Sequence, residues 1–280
     1  MTKTPKTPNA SLPAFLATIS QESAVGKTTL MTLIADVLTL EKSPYAGFQA
    51  DDKPRLAAML GARVTDLKVD ADLLIEQPSL LRTTYSPLYT ACSDAKKTGT
   101  TVLLDAGARE VENIANFFSD VDLDEDLVRW NLTTKFFVPV QADPESIAGA
   151  AMTWERMQKV VPHAQLILVE NLHDRGQIDR LKAQSPARMM YDKILAPLVV
   201  NAPRIIMPAL VVDFWQPFEE SGTRFLKVMA LEAEDGASQF SMSVGDFKIA
   251  RGNVTKFFGA MHPQIKAVLM HSSDGAGNAR

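Results

Sequence analysis

The sequence has little cysteine and no long apolar run. Cys92 is the only cysteine among 280 residues, which excludes an intrachain disulfide and a cysteine-based zinc cluster. No apolar run approaches the roughly 18 residues that a membrane-spanning helix requires, and a membrane surface is not expected as a partner. Residues 1–12 are polar and lack the apolar segment of a secretory signal. We therefore expect a cytoplasmic protein.

The chain also lacks a strong excess of charge of either sign. Its 29 basic and 33 acidic residues give a net charge of −4, which excludes a globally basic nucleic-acid binder. Residues 245–270 are nevertheless locally basic and contain a single acid, Asp246. The basic residues there are Lys248, Arg251, Lys256 and Lys266. Two interpretations stay open: non-specific, salt-dependent contact with DNA, and an ordinary solvated helix face.

Short apolar runs alternate with helical patterns along most of the chain. Strands are predicted at 13–19, 45–50, 101–105, 135–140, 165–170 and 204–207. Helices are predicted at 28–40, 55–60, 110–118, 145–161, 218–231 and 246–270, and more weakly at 177–195. This alternation predicts an α/β fold with a mostly parallel twisted sheet and helices on both faces. We expect one domain over 13–270, a disordered arm at 1–12 and a flexible tail at 271–280.

Prolines and acids add local expectations. Pro78 can begin another helix, and Pro87 is expected to break or restart it. Residues 120–126 contain five acids, whose spacing fails as a calcium loop and favours a solvated acidic loop.

A phosphate-binding loop is predicted directly after the first strand. Gly26-Lys27-Thr28 matches the end of a Walker A loop, whose backbone N–H groups and helix N-terminus cradle phosphates. Lys27 would neutralise phosphate oxygens, and the Thr28 hydroxyl would bind Mg²⁺. Gln21 stands where the full pattern requires glycine. The alternative is an ordinary turn with a surface lysine.

Two acids follow later strands, where ligands of parallel sheets bind. Asp51 ends the second predicted strand, and Asp105 ends the apolar run of the third, as in a Walker B motif. Mg²⁺ prefers oxygen ligands and keeps waters, so such acids can hold the ion through its hydration shell.

With these motifs in chain order, the sequence resembles the ParA/MinD family of deviant-Walker P-loop ATPases. The family loop K-G-G-x-G-K-[ST] corresponds to residues 22–28, and its D-x-D motif to Gln49-Ala50-Asp51. Further matching segments are 103–107, 137–149, 166–171 and 205–208. The resemblance spans residues 14–210. Within the family, the sequence is most similar to plasmid-encoded members that act in partition, stability or conjugative transfer.

The resemblance implies a Mg²⁺-ATP-dependent switch. It implies catalytic roles for Lys27, Asp51 and Asp105, and metal binding by Thr28, Asp51 and Asp105. The implied nucleotide-binding residues are Ser23, Ala24, Val25, Gly26, Lys27, Thr28, Thr29, Asn171 and Pro208, with Asn171 contacting adenine. ATP-bound protomers of the family form dimers, which implies an ATP-dependent homodimer and a small DNA-binding adaptor protein as partner.

The sequence also departs from the family. Glu22 occupies the place of the signature lysine, Gln49 replaces the first acid of D-x-D, and Ser23 and Ala24 replace the loop glycines. These departures predict slow or partner-dependent hydrolysis, or a dimer built without a lysine that reaches across to the other subunit. Two alternatives remain: an ATP-dependent ligase similar to dethiobiotin synthetase, and a nucleotide-binding scaffold with little hydrolysis. The Asn171-Leu-His-Asp174 segment is similar to a guanine-reading motif but lacks its lysine, which favours ATP over GTP.

Overall fold

The computed structural model describes residues 13–68, 74, 76–77, 79–173 and 176–270. The expectations of a disordered arm at 1–12, a flexible tail at 271–280 and a helix start at Pro78 lie outside these residues. Within the described ranges, no helix is both long and apolar enough to cross a membrane.

The described residues form a seven-stranded, fully parallel sheet in the order β3-β2-β4-β1-β5-β6-β7. The strands are β1 Ala14–Thr18, β2 Tyr45–Ala50, β3 Val64–Asp66, β4 Thr101–Ala106, β5 Thr133–Val140, β6 Gln165–Asn171 and β7 Arg204–Met207. Six of these strands match the predicted ones. The short edge strand β3 was not predicted, because its three residues are partly or largely exposed and carry no apolar pattern.

Helices cover both faces of the sheet, as predicted. They are α1 Lys27–Leu40, α2 Arg55–Leu60, α3 Leu80–Thr98, α4 Val111–Asp120, α5 Leu123–Arg129, α6 Pro144–Val160, α7 Pro186–Met190, α8 Val212–Glu220, α9 Phe225–Ala230, α10 Ala233–Gln239 and α11 Val244–Met270. Neighbouring strand residues point to opposite cores: Phe15 packs in the core beneath α3, α4 and α6, and Leu16 in the core beneath α1 and α11. Both faces of the central strands are therefore buried from solvent.

Pro87 does not break its helix, contrary to the sequence-based expectation. The helix α3 runs through it without interruption. Pro87 is exposed, so water can satisfy the carbonyl that loses its N–H partner. Tyr85, Leu88 and Cys92 anchor both sides of the proline in the core. Burial of this apolar face outweighs the local preference of proline.

Three further expectations are corrected. Residues 120–126 are not a loop throughout, because α5 begins at Leu123 and places its acids in the first turn, where negative charge is favourable. The weak helix at 177–195 is instead a 3₁₀ turn at Ile178–Arg180, the short α7 and a π-helical turn at Tyr191–Leu195. The helix predicted at 218–231 is divided among α8 and α9.

The register of the sheet brings its functional residues to one edge. Thr18 on β1 and Gln49 on β2 are both paired with Asp105 on β4. Because all strands are parallel, the loops that follow β1, β2 and β4 leave the sheet side by side. The three predicted motifs therefore meet at the carboxyl edge.

Candidate functional site

The loop between β1 and α1 has a shape that requires glycine at its end. Gly26 adopts φ +92°, a conformation that L side chains rarely adopt, and immediately precedes α1. A Cβ atom here would lie 2.8 Å from Cε of Met207 and 2.9 Å from Nδ2 of Asn171. The bend thus lies against the ends of β6 and β7 and leaves the N-terminus of α1 open, as an anion cradle requires.

Lys27 is folded back over this loop. Its Nζ donates hydrogen bonds to the carbonyl oxygens of Ser20, at 3.1 Å, and Glu22, at 2.5 Å. Burial lowers the pKa of Lys27, and the charges of Asp105, Asp51 and Glu22 oppose that shift. A bound phosphate group would favour the charged ammonium further.

Thr28 and Asp105 form the pair expected of a magnesium site. The Thr28 hydroxyl donates to Oδ2 of Asp105 at 2.7 Å, and the Thr18 hydroxyl donates to Oδ1 at 2.8 Å. Burial raises the pKa of Asp105, and these two hydrogen bonds and the charge of Lys27 oppose that shift. The oxygen donors fit Mg²⁺, which takes few protein ligands and keeps waters. Among the described residues, no group of three or more His, Cys, Asp or Glu offers another metal site.

Asp51 reaches the same region from β2. Its Oδ1 accepts a hydrogen bond from the backbone N–H of Lys53 at 3.0 Å. Gly107, after β4, packs directly against it: a Cβ on Gly107 would lie 3.1 Å from Cγ of Asp51 and 2.9 Å from the carbonyl oxygen of Ala50. The glycine of the Walker B segment therefore permits the close approach of the two acidic strand ends.

Replacement of Gly107 by alanine is expected to separate these strand ends. The new methyl group would meet backbone and the Asp51 side chain rather than a flexible chain end, so β2 and β4 must move apart. For the ATPase activity that the sequence predicts, we expect the rate of hydrolysis to fall by at least about tenfold, since small displacements of catalytic groups are costly, while ATP affinity changes less. Steady-state kinetics and ATP titration measure the two effects, and unchanged hydrolysis would contradict this role of Gly107.

Two adjoining cavities lie over the loop. The first, of about 490 Å³, is lined by the predicted residues Ser23, Ala24, Gly26, Lys27, Thr28, Thr29 and Asp51. The second, of about 560 Å³, is lined by Ala24, Gly26, Thr29, Asn171 and Pro208 from the predicted set. Together they offer a polar compartment beside a more apolar one, as a nucleotide with its phosphates and base would need.

Val25 and Asn171, which are both predicted to bind nucleotide, are joined by a hydrogen bond. Val25 is buried and lines neither cavity, but its carbonyl oxygen accepts a hydrogen bond from Nδ2 of Asn171 at 3.0 Å. Oδ1 of Asn171 accepts from the N–H of His173 at 3.2 Å. Asn171 therefore holds the phosphate-binding loop against β6 while its side chain also borders the second cavity.

The positions that depart from the family pattern have local partners. Oε1 of Glu22 accepts a hydrogen bond from the N–H of Ser23 at 3.1 Å, so this carboxylate lies along its own loop. Gln49 is buried, donates to the carbonyl oxygen of Lys53 at 3.2 Å and accepts from the N–H of Ala57 at 3.1 Å. Gln49 thus braces the segment that carries Asp51.

The sequence motifs missed several cavity residues. Lys53, Arg55 and Arg109 line the first cavity, and Trp215 and Glu219 on α8 line the second, with Arg55 and Glu219 shared. Nε1 of Trp215 is buried and has no hydrogen-bond partner among the described residues. Only Arg109 carried a sequence signal, because it follows the Walker B glycine by two positions.

The basic residues of α11 divide into two pairs. Nη1 of Arg251 donates to the carbonyl oxygen of Leu231 at 2.5 Å, and Nζ of Lys266 forms an ion pair with Glu41 at 2.6 Å. Lys248 and Lys256 are exposed. Half of the predicted DNA-contacting set is therefore engaged within the chain.

Comparison with solved structures supports the fold, whereas comparison of sequences finds no match. No family model and no curated protein sequence matches the chain. Among solved structures, the MinC:MinD cell division protein complex of Aquifex aeolicus matches with a TM-score of 0.50 at 15% identity, covering 92% of this chain and 96% of that chain. MinD of the same organism matches at 14% identity and a TM-score of 0.48, covering 92% and 98%. An ATP complex of a Cyanothece McdA variant matches at 12% and 0.45, covering 87% and 98%. The first of these matches shows that the chain shares the fold of that structure, and the predicted resemblance to the ParA/MinD family of P-loop ATPases is thereby confirmed at the level of the fold.

Proposed function

We propose that this protein is a Mg²⁺-dependent ATPase that acts as a nucleotide switch of the ParA/MinD type. The observation that carries the proposal is the cluster of Lys27, Thr28 and Asp105 after the Gly26 bend, in which Lys27 and Thr28 line the polar cavity and Thr28 donates to the buried Asp105. Phosphoryl transfer requires mainly positioning and charge stabilisation, and this cluster provides both.

Each group has a defined task in this proposal. The backbone of residues 23–28 and the ammonium of Lys27 hold the phosphates, and Thr28 with Asp105 holds the metal and its waters. Bound Mg²⁺ would neutralise the negative charge that develops on the phosphate oxygens. Asp51 orients the attacking water, because it lines the same cavity as Lys27 and Thr28. Asn171, Pro208 and the apolar part of the second cavity receive adenine.

As a switch, the protein is proposed to form a homodimer with ATP and to release a partner protein after hydrolysis. Its setting is proposed to be the cytoplasm, its cargo a plasmid in partition, stability or conjugative transfer, and its partner a small DNA-binding adaptor. Lys248 and Lys256 are the exposed residues proposed for non-specific DNA contact. Binding of DNA that does not weaken as salt is raised would contradict that contact.

The size of the protein in solution tests the switch. We expect a monomer without nucleotide or with ADP, and a dimer with ATP and Mg²⁺, measured by size-exclusion chromatography with light scattering. Lys27→Ala is expected to remain monomeric in ATP. A dimer that forms regardless of nucleotide, with turnover only upon addition of an organic acid, would favour the ligase alternative. A size unaffected by ATP despite measurable ATP binding would favour the scaffold.

A further inference from the structure

Arg109 is an exposed cation at the wall of the phosphate cavity. It lies in the 3₁₀ turn Ala108–Glu110, which follows β4 and the Gly107 contact with Asp51. Its side chain is 89% exposed and makes a long ion pair, 3.6 Å, between Nη1 and Oδ2 of Asp52. Both residues line the cavity that contains Lys27 and Thr28. Such a weak, solvated pair costs little to exchange for a more strongly charged partner.

The base of this turn is fixed, whereas the guanidinium is exposed and makes the long ion pair with Asp52. Oε2 of Glu110 accepts hydrogen bonds from the Tyr85 hydroxyl at 2.9 Å and from Nδ2 of Asn113 at 3.0 Å. Tyr85 is fully buried, so Glu110 ties the turn to the core. The backbone of Arg109 is thereby held next to the two acidic strand ends, and its long side chain can turn into the cavity.

Lys27 is one cation of the loop, but the second lysine of the family pattern is missing. Glu22 brings a carboxylate where the family pattern has lysine, and Lys27 is held by two backbone carbonyl oxygens. The γ-phosphate oxygens gain negative charge in the transition state, and a preorganised cation near them speeds the reaction. Arginine suits this task because its planar fork donates two parallel hydrogen bonds to phosphate oxygens.

We propose that Arg109 is a catalytic residue that contacts the γ-phosphate in its own subunit and replaces the missing lysine. This inference rests on the proposed ATPase function. In the step concerned, the bond from the water oxygen to γ-phosphorus forms and the bond from γ-phosphorus to the β,γ-bridging oxygen breaks. The products are ADP, phosphate and a proton that leaves to solvent. Arg109 donates hydrogen bonds throughout and transfers no proton.

The test compares kcat and ATP affinity in the full chain. Arg109→Ala is expected to lower kcat on the order of 10²–10³-fold, with the dissociation constant for ATP changed by less than about threefold. Arg109→Lys is expected to recover part of kcat, because it restores charge without the fork. The matched control is Arg82→Ala, which removes another exposed arginine with a 3.7 Å ion pair, to Asp120, away from both cavities.

Several outcomes would overturn the assignment. Unchanged kcat in Arg109→Ala would do so, as would an equal loss in Lys53→Ala with none in Arg109→Ala. Recovery of hydrolysis on mixing Arg109→Ala with Lys27→Ala would place the guanidinium in a partner's site and exclude action within one subunit. ATP binding without any hydrolysis by the wild type would also refute the role. Absence of ATP binding by the wild type would instead refute the proposed function itself.

Discussion

Lys27→Ala is expected to lower the affinity for Mg²⁺-ATP by about 10- to 100-fold. A hydrogen bond to a charged group contributes about 1.5–3 kcal/mol, and about 1.4 kcal/mol corresponds to a tenfold change in affinity. The substitution removes an ammonium that donates to the carbonyl oxygens of Ser20 and Glu22 in the phosphate-binding loop. Titration followed by tryptophan fluorescence can measure the effect, because Trp215 lines the adjoining cavity.

The control for Lys27→Ala is Lys96→Ala, which removes an exposed lysine on α3. Both variants should remain folded, because neither substitution removes a side chain of the two hydrophobic cores. Mg²⁺-ATP should raise the unfolding temperature of the wild type and of Lys96→Ala but not of Lys27→Ala. Equal ATP affinity in all three proteins would place the nucleotide elsewhere.

Arg224→Ala is expected to destabilise the protein by about 3–5 kcal/mol, because it leaves a buried carboxylate without its cation. Asp36 on α1 is fully buried, and its Oδ1 accepts a hydrogen bond from Nε of Arg224 at 2.8 Å. Arg224 also donates to the Tyr45 hydroxyl at 2.9 Å and to the Thr39 hydroxyl at 3.0 Å. Urea unfolding measures the loss. Lys97→Ala, which breaks an exposed pair with Asp94, is the control and should change stability by at most about 1 kcal/mol.

The destabilisation by Arg224→Ala should depend on pH. Burial raises the pKa of Asp36 above 3.8, and the charge of Arg224 opposes that shift. Without Arg224 the pKa of this carboxyl rises further, so the folded variant binds a proton more tightly than the unfolded chain does. A carboxyl whose pKa is higher in the folded state than in the unfolded chain stabilises the folded state at low pH. This contribution is lost as the pH rises through the folded-state pKa. The difference in the free energy of unfolding between the wild type and Arg224→Ala should therefore be smaller in acid. At neutral pH, adding Asp36→Asn to Arg224→Ala should recover part of the lost stability.

The motifs predicted from the sequence depend on short-range chemistry. Gly26, Lys27 and Thr28 are adjacent in the chain, so their pattern already implies the loop geometry that the structure shows. Asp51 and Asp105 lie at strand ends, and the parallel sheet brings them together once the strands are placed correctly. The assigned roles of these residues remain predictions for experiment.

Residues that join the site through tertiary packing could not be predicted. Trp215 and Glu219 lie about 190 residues after the phosphate-binding loop on a helix with no motif, and only the packing of α8 brings them to the cavities. In the sequence, Gln49 is recognisable only as the replacement of an acid. In the structure it is buried, and its two hydrogen bonds hold the segment that follows Asp51. Pro87 was misjudged for a related reason, since core burial outweighs local propensity.

Calorimetric titration of the full chain with ATP, with and without Mg²⁺, tests the occupancy of this cleft most directly. We expect saturable heat with one nucleotide per chain and tighter binding when Mg²⁺ is present. Absence of heat with every purine triphosphate, under conditions where the protein is folded, would contradict this expectation.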